Sequence, residues 1–407
     1  MSEWKSVRLG DCCIENGIQT GPFGSQLHQS DYSEVGTPVI MPKDIRDGRV
    51  VEEGIARVGE VHIKRLARHR VAKNNIVYPR RGDVGKAAFI TEREVGWLCG
   101  TGCLKVDLNE DVVDPVFVRY FLALNDSVCW LEKHAVGSTM LNINAGILAD
   151  LPIALPPLPI QRRIAAILSD YDSAIENARR QIALLEEAAM RLYREWFGDG
   201  KGERKPLGEF IEITTSGSWG TDTKTVKTPN EVVCIRGADF EEIHGRSLGK
   251  QIRRFISDKH LVERSLKDGD LVVEMSGGSP TQSTGRVVSI SDMLLARYGV
   301  PVLATNFCKV VRPKSGYSRF LYLAWRDLYV SRIMFNYEVG TTGIKNFDYD
   351  LFVSDVEITN PLPKLTQFNG LVDGMFSSMD MLGSLVQDLT EARDRLLPKL
   401  MSGEIEV

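Results

Sequence analysis

Three loops combine glycine with hydroxyls, amides or cations, residue types that let a backbone come close to phosphates and base edges. Gln19-Thr-Gly-Pro-Phe-Gly-Ser-Gln26 offers Thr20, Gly21 and Ser25, and Pro79-Arg-Arg-Gly-Asp-Val-Gly-Lys86 offers Arg80, Arg81 and Lys86. Met275-Ser-Gly-Gly-Ser-Pro-Thr-Gln282 offers Ser276, with Arg286 just beyond it. For any one loop, glycines that merely turn the chain are an equally good reading. Charge adds a second signal. The net charge of −4 argues against a uniformly basic binder, yet Arg57, Lys64, Arg65, Arg68, Arg70, Lys73, Arg80, Arg81 and Lys86 face only Glu60 and Asp83. A weaker run, Arg246, Lys250, Arg253, Arg254, Lys259, Arg264 and Lys267 against Asp258, Glu263 and Asp268, follows Arg236 in the second half. A single such run is ordinarily a solvated face. Its recurrence at the same place in both halves favours two anionic contacts.

Catalytic chemistry finds no support. A phosphate-binding loop needs Gly-Lys before Ser or Thr, whereas Lys86, Lys201 and Lys250 precede Ala87, Gly202 and Gln251. Asn360-Pro-Leu-Pro363 lacks the paired prolines and aromatic of an adenine methyltransferase, and Phe197-Gly-Asp-Gly-Lys-Gly202 follows a helix, which suits a cap and linker. The acid-x-Lys triplets Asp199-Gly-Lys201 and Glu203-Arg-Lys205 lie in that same linker, where no strand would present them to a nuclease site. The six histidines show no helical pairing for zinc, and no Cys-x2-Cys pair exists, so a metal site is not expected. Binding is the chemistry that remains.

The elements that must position these loops are written twice. Leu155-Pro-Pro-Leu-Pro159 and Asn360-Pro-Leu-Pro363 each open a long heptad-patterned helix, roughly 200 residues apart, which points to a tandem duplication. In the first helix Ile164, Leu168, Tyr171, Ile175, Ala178, Ile182, Leu185, Ala189, Leu192 and Trp196 alternate steps of four and three, the spacing of a coiled-coil seam. The second repeats it with Phe368, Val372, Met375, Met379, Leu382, Val386, Leu389, Leu396 and Leu400, interrupted only by Arg393. Helices of about 35 residues are rods of roughly 50 Å, too long to lie on one small domain, so each is expected to pair with the other, antiparallel. Between them Val39-Ile-Met-Pro-Lys-Asp44 answers Cys234-Ile-Arg-Gly-Ala-Asp239, Asn75–Gly82 answers Asp270–Gly277, and Gly85–Ile90 answers Gly285–Ile290. Gly137-Ser-Thr139 likewise answers Gly340-Thr-Thr342. Strand-like runs at 75–78, 86–90, 103–106, 271–274 and 307–311 and helical ones at 115–124 and 318–330 make each half mixed α and β. The expected fold class is α+β: two similar domains at 1–157 and 201–361, and two coiled-coil helices at 158–200 and 362–407.

Composition fits. At 407 residues, 43% of them hydrophobic, there is material for two cores of about 150 residues plus the helices. The start Met1-Ser-Glu-Trp-Lys-Ser6 has no apolar leader, and no stretch reaches the 18 or so apolar residues of a membrane span. A cytoplasmic protein whose seven cysteines are free thiols is expected.

Leu155-Pro-Pro-Leu-Pro-Ile-Gln161, Leu185-Glu-Glu-Ala-Ala-Met-Arg-Leu-Tyr-Arg-Glu-Trp-Phe197 and Leu389-Thr-Glu-Ala-Arg-Asp-Arg-Leu-Leu-Pro-Lys-Leu-Met-Ser-Gly-Glu-Ile405 resemble the spacer regions of the specificity (S) subunits of type I restriction-modification systems. Thr20-Gly-Pro-Phe-Gly-Ser25, Gly137-Ser-Thr139 and Asn142-Ile-Asn144 are similar to parts of that family's target recognition domains. The resemblance spans the chain and is most specific in the helices. Two departures stand in the second half: two extra residues before Gln367 and a shorter cationic run. The resemblance implies double-stranded DNA as ligand, each globular half reading half of a split site, with the helices setting the spacing. It also implies two modification (M) subunits that use S-adenosylmethionine and restriction (R) subunits that use ATP and Mg2+, this chain itself binding no cofactor and no membrane. The competing readings are a two-headed protein scaffold without a DNA role and a fused methyltransferase or nuclease, the latter requiring the motifs found missing above.

Overall fold

The computed structural model describes residues 4–137, 140–198, 200, 202–279, 281–340, 345–362 and 364–407. Ser138, Thr139, Thr341 and Thr342 of the Gly-Ser-Thr and Gly-Thr-Thr segments, Asp199 and Lys201 of the linker, Pro280 of the loop at 275–282 and Pro363 of the second helix opening lie outside them. The chain forms two compact units, Met1–Asp172 with Glu391–Val407, and Ser173–Thr390, so each joins a globular half to a stretch of both long helices.

In the first unit, Lys5–Arg8 pairs antiparallel with Pro152–Leu155, tying the chain start to the segment that feeds the first long helix, Leu158–Phe197. A four-stranded antiparallel sheet runs in the order Cys13–Thr20, Cys103–Leu108, Ile76–Pro79, Ala88–Phe89. A second sheet carries a parallel pair, Leu98–Cys99 on Thr37–Ile40, with Ala56–Val58 antiparallel on the far side of the latter. Packed on the four-stranded sheet is the helix Pro115–Leu122, whose Asp114 side chain caps the amides of Val116 and Phe117, and Tyr78 and Leu104 of the strands are buried with Phe117 and Leu131.

The second unit repeats this order. Arg204–Pro206 pairs with Glu357–Thr359, the four-stranded sheet runs Ile211–Ser216, Cys308–Pro313, Leu271–Glu274, Val287–Ser289, and Val302–Ala304 lies parallel to Asn230–Ile235, itself antiparallel to Ile252–Ile256. Small details recur too. The amides of Met41 and Arg236 each donate to a carboxylate three residues on, Asp44 and Asp239, both at 2.9 Å, and the helix Ser318–Val330 takes the place of Pro115–Leu122. Two copies of one fold is the architecture that the matching segments predict.

The seam pairs as its heptads require. In the second unit Ile175 and Ala178 pack with Val386, Leu382 and Leu389, while Phe197 meets Phe368 with ring centroids 5.1 Å apart, so the helix stretches run antiparallel. Ile182, Val372 and Met379 are buried in the same unit, and Leu185, Leu192 and Met375 pack against its core. In the first unit Ile164 and Leu168 are fully buried with Leu400, and Tyr171 is half-buried. The stripe is wider than the heptads indicate, because Tyr193, Phe197 and Phe376 are buried as well, where the helices also cover a globular core. Gln161 of the helix opening is buried for a polar reason: its amide donates to the Pro156 carbonyl at 2.8 Å and accepts from the Asp114 amide at 2.9 Å.

Arg393, which breaks the heptad series, has a matched partner. Its Nη1 donates to Asp172 Oδ1 at 2.6 Å, and Asp172 Oδ2 accepts from the Tyr120 hydroxyl at 2.6 Å and from Arg119 at 3.3 Å. A charged group at a seam position favours one register, since a slip would separate half-buried Arg393 from Asp172 and leave it only Asp394 of its own helix. Burial works against the Asp172 charge, but the bonds from Tyr120 and Arg393 and the nearby guanidiniums outweigh it and hold the carboxyl below its usual value of 3.8. A depressed folded-state value stabilises the fold above the unfolded value, and that contribution is lost as pH falls through the folded one. The melting temperature of the wild type should therefore exceed that of Asp172→Asn at pH 7, and the gap should close below about pH 4. A gap independent of pH in parallel thermal melts would remove the ionised carboxylate from the seam.

Candidate nucleic-acid interface

Strand register gathers the first-half candidates at one end of the four-stranded sheet. Thr20 sits opposite Leu104, and Pro79 opposite Cys103, so the loops that leave Thr20 and Pro79 emerge side by side. The Gly21 amide donates to the Cys103 carbonyl at 2.9 Å and the Arg80 amide to the Gly102 carbonyl at 2.7 Å. Gly21 is required by packing: a Cβ there would stand 2.0 Å from the Gly100 carbonyl oxygen. Beyond it Ser25 is exposed in a turn where the Gln26 amide donates to the Phe23 carbonyl at 2.8 Å, leaving the Phe23 ring 54% exposed. Arg81 is exposed and bridges to Asn142. Arg80 is half-buried, and its Nε has no acceptor among the described residues.

Arg68 and Arg70 belong to the same face. They flank buried His69, whose pKa is pushed down by burial and by the Arg68 charge, against an opposing hydrogen bond to the backbone of Thr20. Lys105, from the central strand, donates to both their carbonyls at 3.3 Å. Lys86 is placed elsewhere. It pairs with Asp83 at 2.8 Å and lines a cavity of about 410 Å³ beside Arg119, Asp172 and Arg393.

The structure sorts the basic run by partner. Arg57 pairs with Glu52, Lys64 with Glu60, Arg65 with Asp31 at 3.8 Å, Lys73 with Glu92 and Lys86 with Asp83. Arg68, Arg70, Arg80 and Arg81 have no carboxylate partner among the described residues: Arg68 donates to His69, Arg70 to the Gly96 carbonyl. Four cations at one sheet end are what an anionic ligand would meet.

In the second half most of the basic run is taken up by partners, while Lys250 and Lys267 are exposed with no carboxylate partner among the described residues. Arg246 is buried against Asp380 at 3.1 Å, Arg253 pairs with Glu231, Arg254 with Asp222, Lys259 with Glu263, and Arg264 donates to the Gly217 carbonyl at 2.7 Å. Arg236 grips Asp239 through Nε at 3.0 Å and Nη2 at 2.7 Å. Arg286 is likewise taken up, donating to both oxygens of buried Glu274 at 2.8 and 2.6 Å and to the Gly237 carbonyl at 2.9 Å. Counting charges along the sequence could not reveal this, because most of these partners are distant in the chain. Ser276 does stand where Arg81 stands: it pairs with Asn346 as Arg81 bridges to Asn142, and the Phe347 amide bonds the Met275 carbonyl as the Ile143 amide bonds that of Arg80. A serine thus replaces the arginine.

One counterpart escaped the sequence comparison. Gly217-Ser-Trp-Gly-Thr221 occupies the place of Gly21-Pro-Phe-Gly-Ser25, with the Gly217 amide on the Cys308 carbonyl at 3.1 Å and a Cβ on Gly217 2.0 Å from the Thr305 carbonyl oxygen. The shared pattern, glycine, any residue, aromatic, glycine, hydroxyl, was the available signal. Among the described residues no group of three or more His, Cys, Asp or Glu converges to hold a metal ion, and no helix is long and apolar enough to cross a membrane. All seven cysteines are free thiols.

Residues 1–187 match the type I restriction modification DNA specificity domain. The chain is 24% identical over 405 residues to the type I restriction enzyme MjaIX specificity subunit of Methanocaldococcus jannaschii, with 91% of this chain and 87% of that protein covered. It is 30% identical over 239 residues to the MjaVIII specificity subunit of the same organism, covering 58% of this chain and 51% of the relative. The crystal structure of a type I restriction-modification S subunit from M. genitalium shares the fold, with a TM-score of 0.57 at 16% identity over 98% of this chain and 96% of that one. The first 187 residues thus carry the type I restriction modification DNA specificity domain, and the full chain is similar to type I specificity subunits in sequence and in fold.

Two substitutions should separate the halves. Arg81→Ala should lower the salt dependence of DNA binding by about one unit of log K per log salt with little change in melting. Arg286→Ala should instead destabilise the second half by about 3 kcal/mol, because it leaves Glu274 buried and unpaired. Unfolding curves and salt titrations on both variants check this, and an unaltered salt slope for Arg81→Ala removes that residue from the interface.

Proposed function

We propose that this chain is the sequence-specificity subunit of a type I restriction-modification complex and that each globular half reads one half of a bipartite double-stranded DNA site. The observation that carries the reading is one scaffold used twice with different residues at the same sheet end: Arg81 against Ser276, and Phe23 against Trp219. In this reading the domains at 1–157 and 201–361 recognise DNA, through Thr20, Ser25, Arg68, Arg70, Arg80 and Arg81 in the first. The helices at 158–200 and 362–407 set the half-site spacing and dock two modification subunits. Catalysis belongs to those partners and to restriction subunits, which bring S-adenosylmethionine, ATP and Mg2+, while this chain supplies address and spacing in the cytoplasm. The four arginines without a carboxylate partner among the described residues favour a nucleic-acid ligand over the protein scaffold reading, since backbone phosphates reward clustered cations.

Modularity tests it. Replacing residues 1–155 with the matching domain of a relative should change one half of the methylated sequence and leave the other intact. Lengthening both helices together by whole heptads should alter the gap between half-sites, since seven residues add roughly 10 Å while keeping the seam in register. Methylome sequencing of the swapped protein reads both outcomes, and a change in both half-sites, or in neither, points to a single composite recognition surface.

A further inference from the structure

The second half raises a specific problem for a DNA-reading domain. Its counterpart of Arg81 is a serine, and Arg236, Arg254 and Arg286 are neutralised by Asp239, Asp222 and Glu274. The long loop that follows Gly217 offers a different surface. Lys224 and Lys227 are exposed and have no carboxylate partner among the described residues, and between them the Val226 side chain is 100% exposed.

This loop is built to present its tip. The Thr225 and Thr228 amides donate to each other's carbonyls at 3.3 and 3.2 Å, their hydroxyls meet at 2.8 Å, and the Thr228 hydroxyl lies 3.1 Å from that of Thr221. At its root, Thr221 pairs with Phe255, and Trp219 stacks under the Arg254 guanidinium at 4.1 Å. A full-length apolar side chain held in water on a closed turn gains nothing for the fold. Held so, it costs little ordering entropy on binding. The loop leaves the strand Ile211–Ser216 at the sheet end where the Met275–Gln282 loop also emerges, because Ser216 pairs with Lys309 and Glu274 with Cys308.

We infer that the loop at 221–228 is the second half's reading element, with Lys224 and Lys227 meeting backbone phosphates and Val226 meeting the methyl group of a thymine in the major groove. This rests on the DNA-specificity reading above and assigns its second contact to residues that lie outside the basic run of that half. The chemistry is matched: lysines act as point charges on phosphates, and an apolar side chain distinguishes thymine by its methyl. In the first half the guanidiniums do the anchoring from the 68–81 region; in the second, Lys224 and Lys227 place cations on the loop itself.

The test uses the full chain assembled with its modification subunits. On mixed duplex fragments, Lys224→Ala with Lys227→Ala should lower the salt slope by about two units, and Arg81→Ala by about one. In the methylome, Val226→Ala should relax one A·T position of one half-site by at least about fivefold and leave the other half-site unchanged. All three side chains are exposed, so melting should not move. A normal salt slope for the double lysine variant beside a reduced one for Arg81→Ala overturns the loop assignment and leaves the specificity reading standing. An unchanged methylome for Val226→Ala overturns the base contact, and a wild-type complex with no salt-dependent DNA binding overturns both.

Discussion

An apolar stripe running the length of a 40-residue helix cannot face water, and burying it is the constraint on which the rest depends. The stripe is covered in two ways at once, by the opposing long helix and by the globular half beside it. That is why Phe197 touches both Phe368 of the second long helix and Phe320 of the second domain, with centroids at 5.1 Å in each case. Polar residues then decide register. Asp172 with Arg393, Tyr120 and Arg119, and Asp380 with Arg246, place charges where only one alignment satisfies them. Gly383 lets the second helix come close enough for the Arg246 contact, since a Cβ there would lie 2.5 Å from the Arg246 side chain.

Anchored to that frame, each globular half separates what must stay constant from what can vary. The four-stranded sheet and its buried polar turn, built on Asn75 in one half and Asp270 in the other, form the constant part: both side chains accept from a backbone amide three residues earlier at 2.8 Å. At the sheet end the residues differ on the same backbone frame: Pro22 and Phe23 stand where Ser218 and Trp219 stand, the latter packed against Val232, Cys234 and Ile256, and Arg81 stands where Ser276 stands. Only the glycines that leave the sheet are held fixed, because Gly21 and Gly217 each pass within 2.0 Å, at the Cβ position, of a carbonyl oxygen. A protein whose address can change while its fold does not is the physical consequence.

Electrostatics follows the same division. Much of the positive charge in the chain is internal to the fold, either as ion pairs such as Arg312 with Asp270 or as caps on backbone carbonyls such as Arg264. What is left for an anionic partner is a small set of cations without carboxylate partners, differently placed in the two halves.

The amino-acid sequence by itself determined the duplication, the two long helices, the heptad seam and most of the strands, because those features rest on local periodicity and on segments that recur in order. The helix at Ser318–Val330 and the strand at Leu271–Glu274 have the bounds that their patterns indicate. Candidate loops were also legible, since glycine, hydroxyl and cation at short spacing are visible without coordinates. Which cations are free was decided by tertiary structure alone. Arg286 and Arg81 are both cations beside glycine-bearing loops along the chain, yet one is taken up by Glu274, twelve residues away and buried, while the other has no carboxylate partner among the described residues. The breadth of the buried stripe and the partner of Arg393 were likewise settled by contacts between residues tens to hundreds of positions apart, and no local pattern encodes a contact whose two sides are so far separated in sequence.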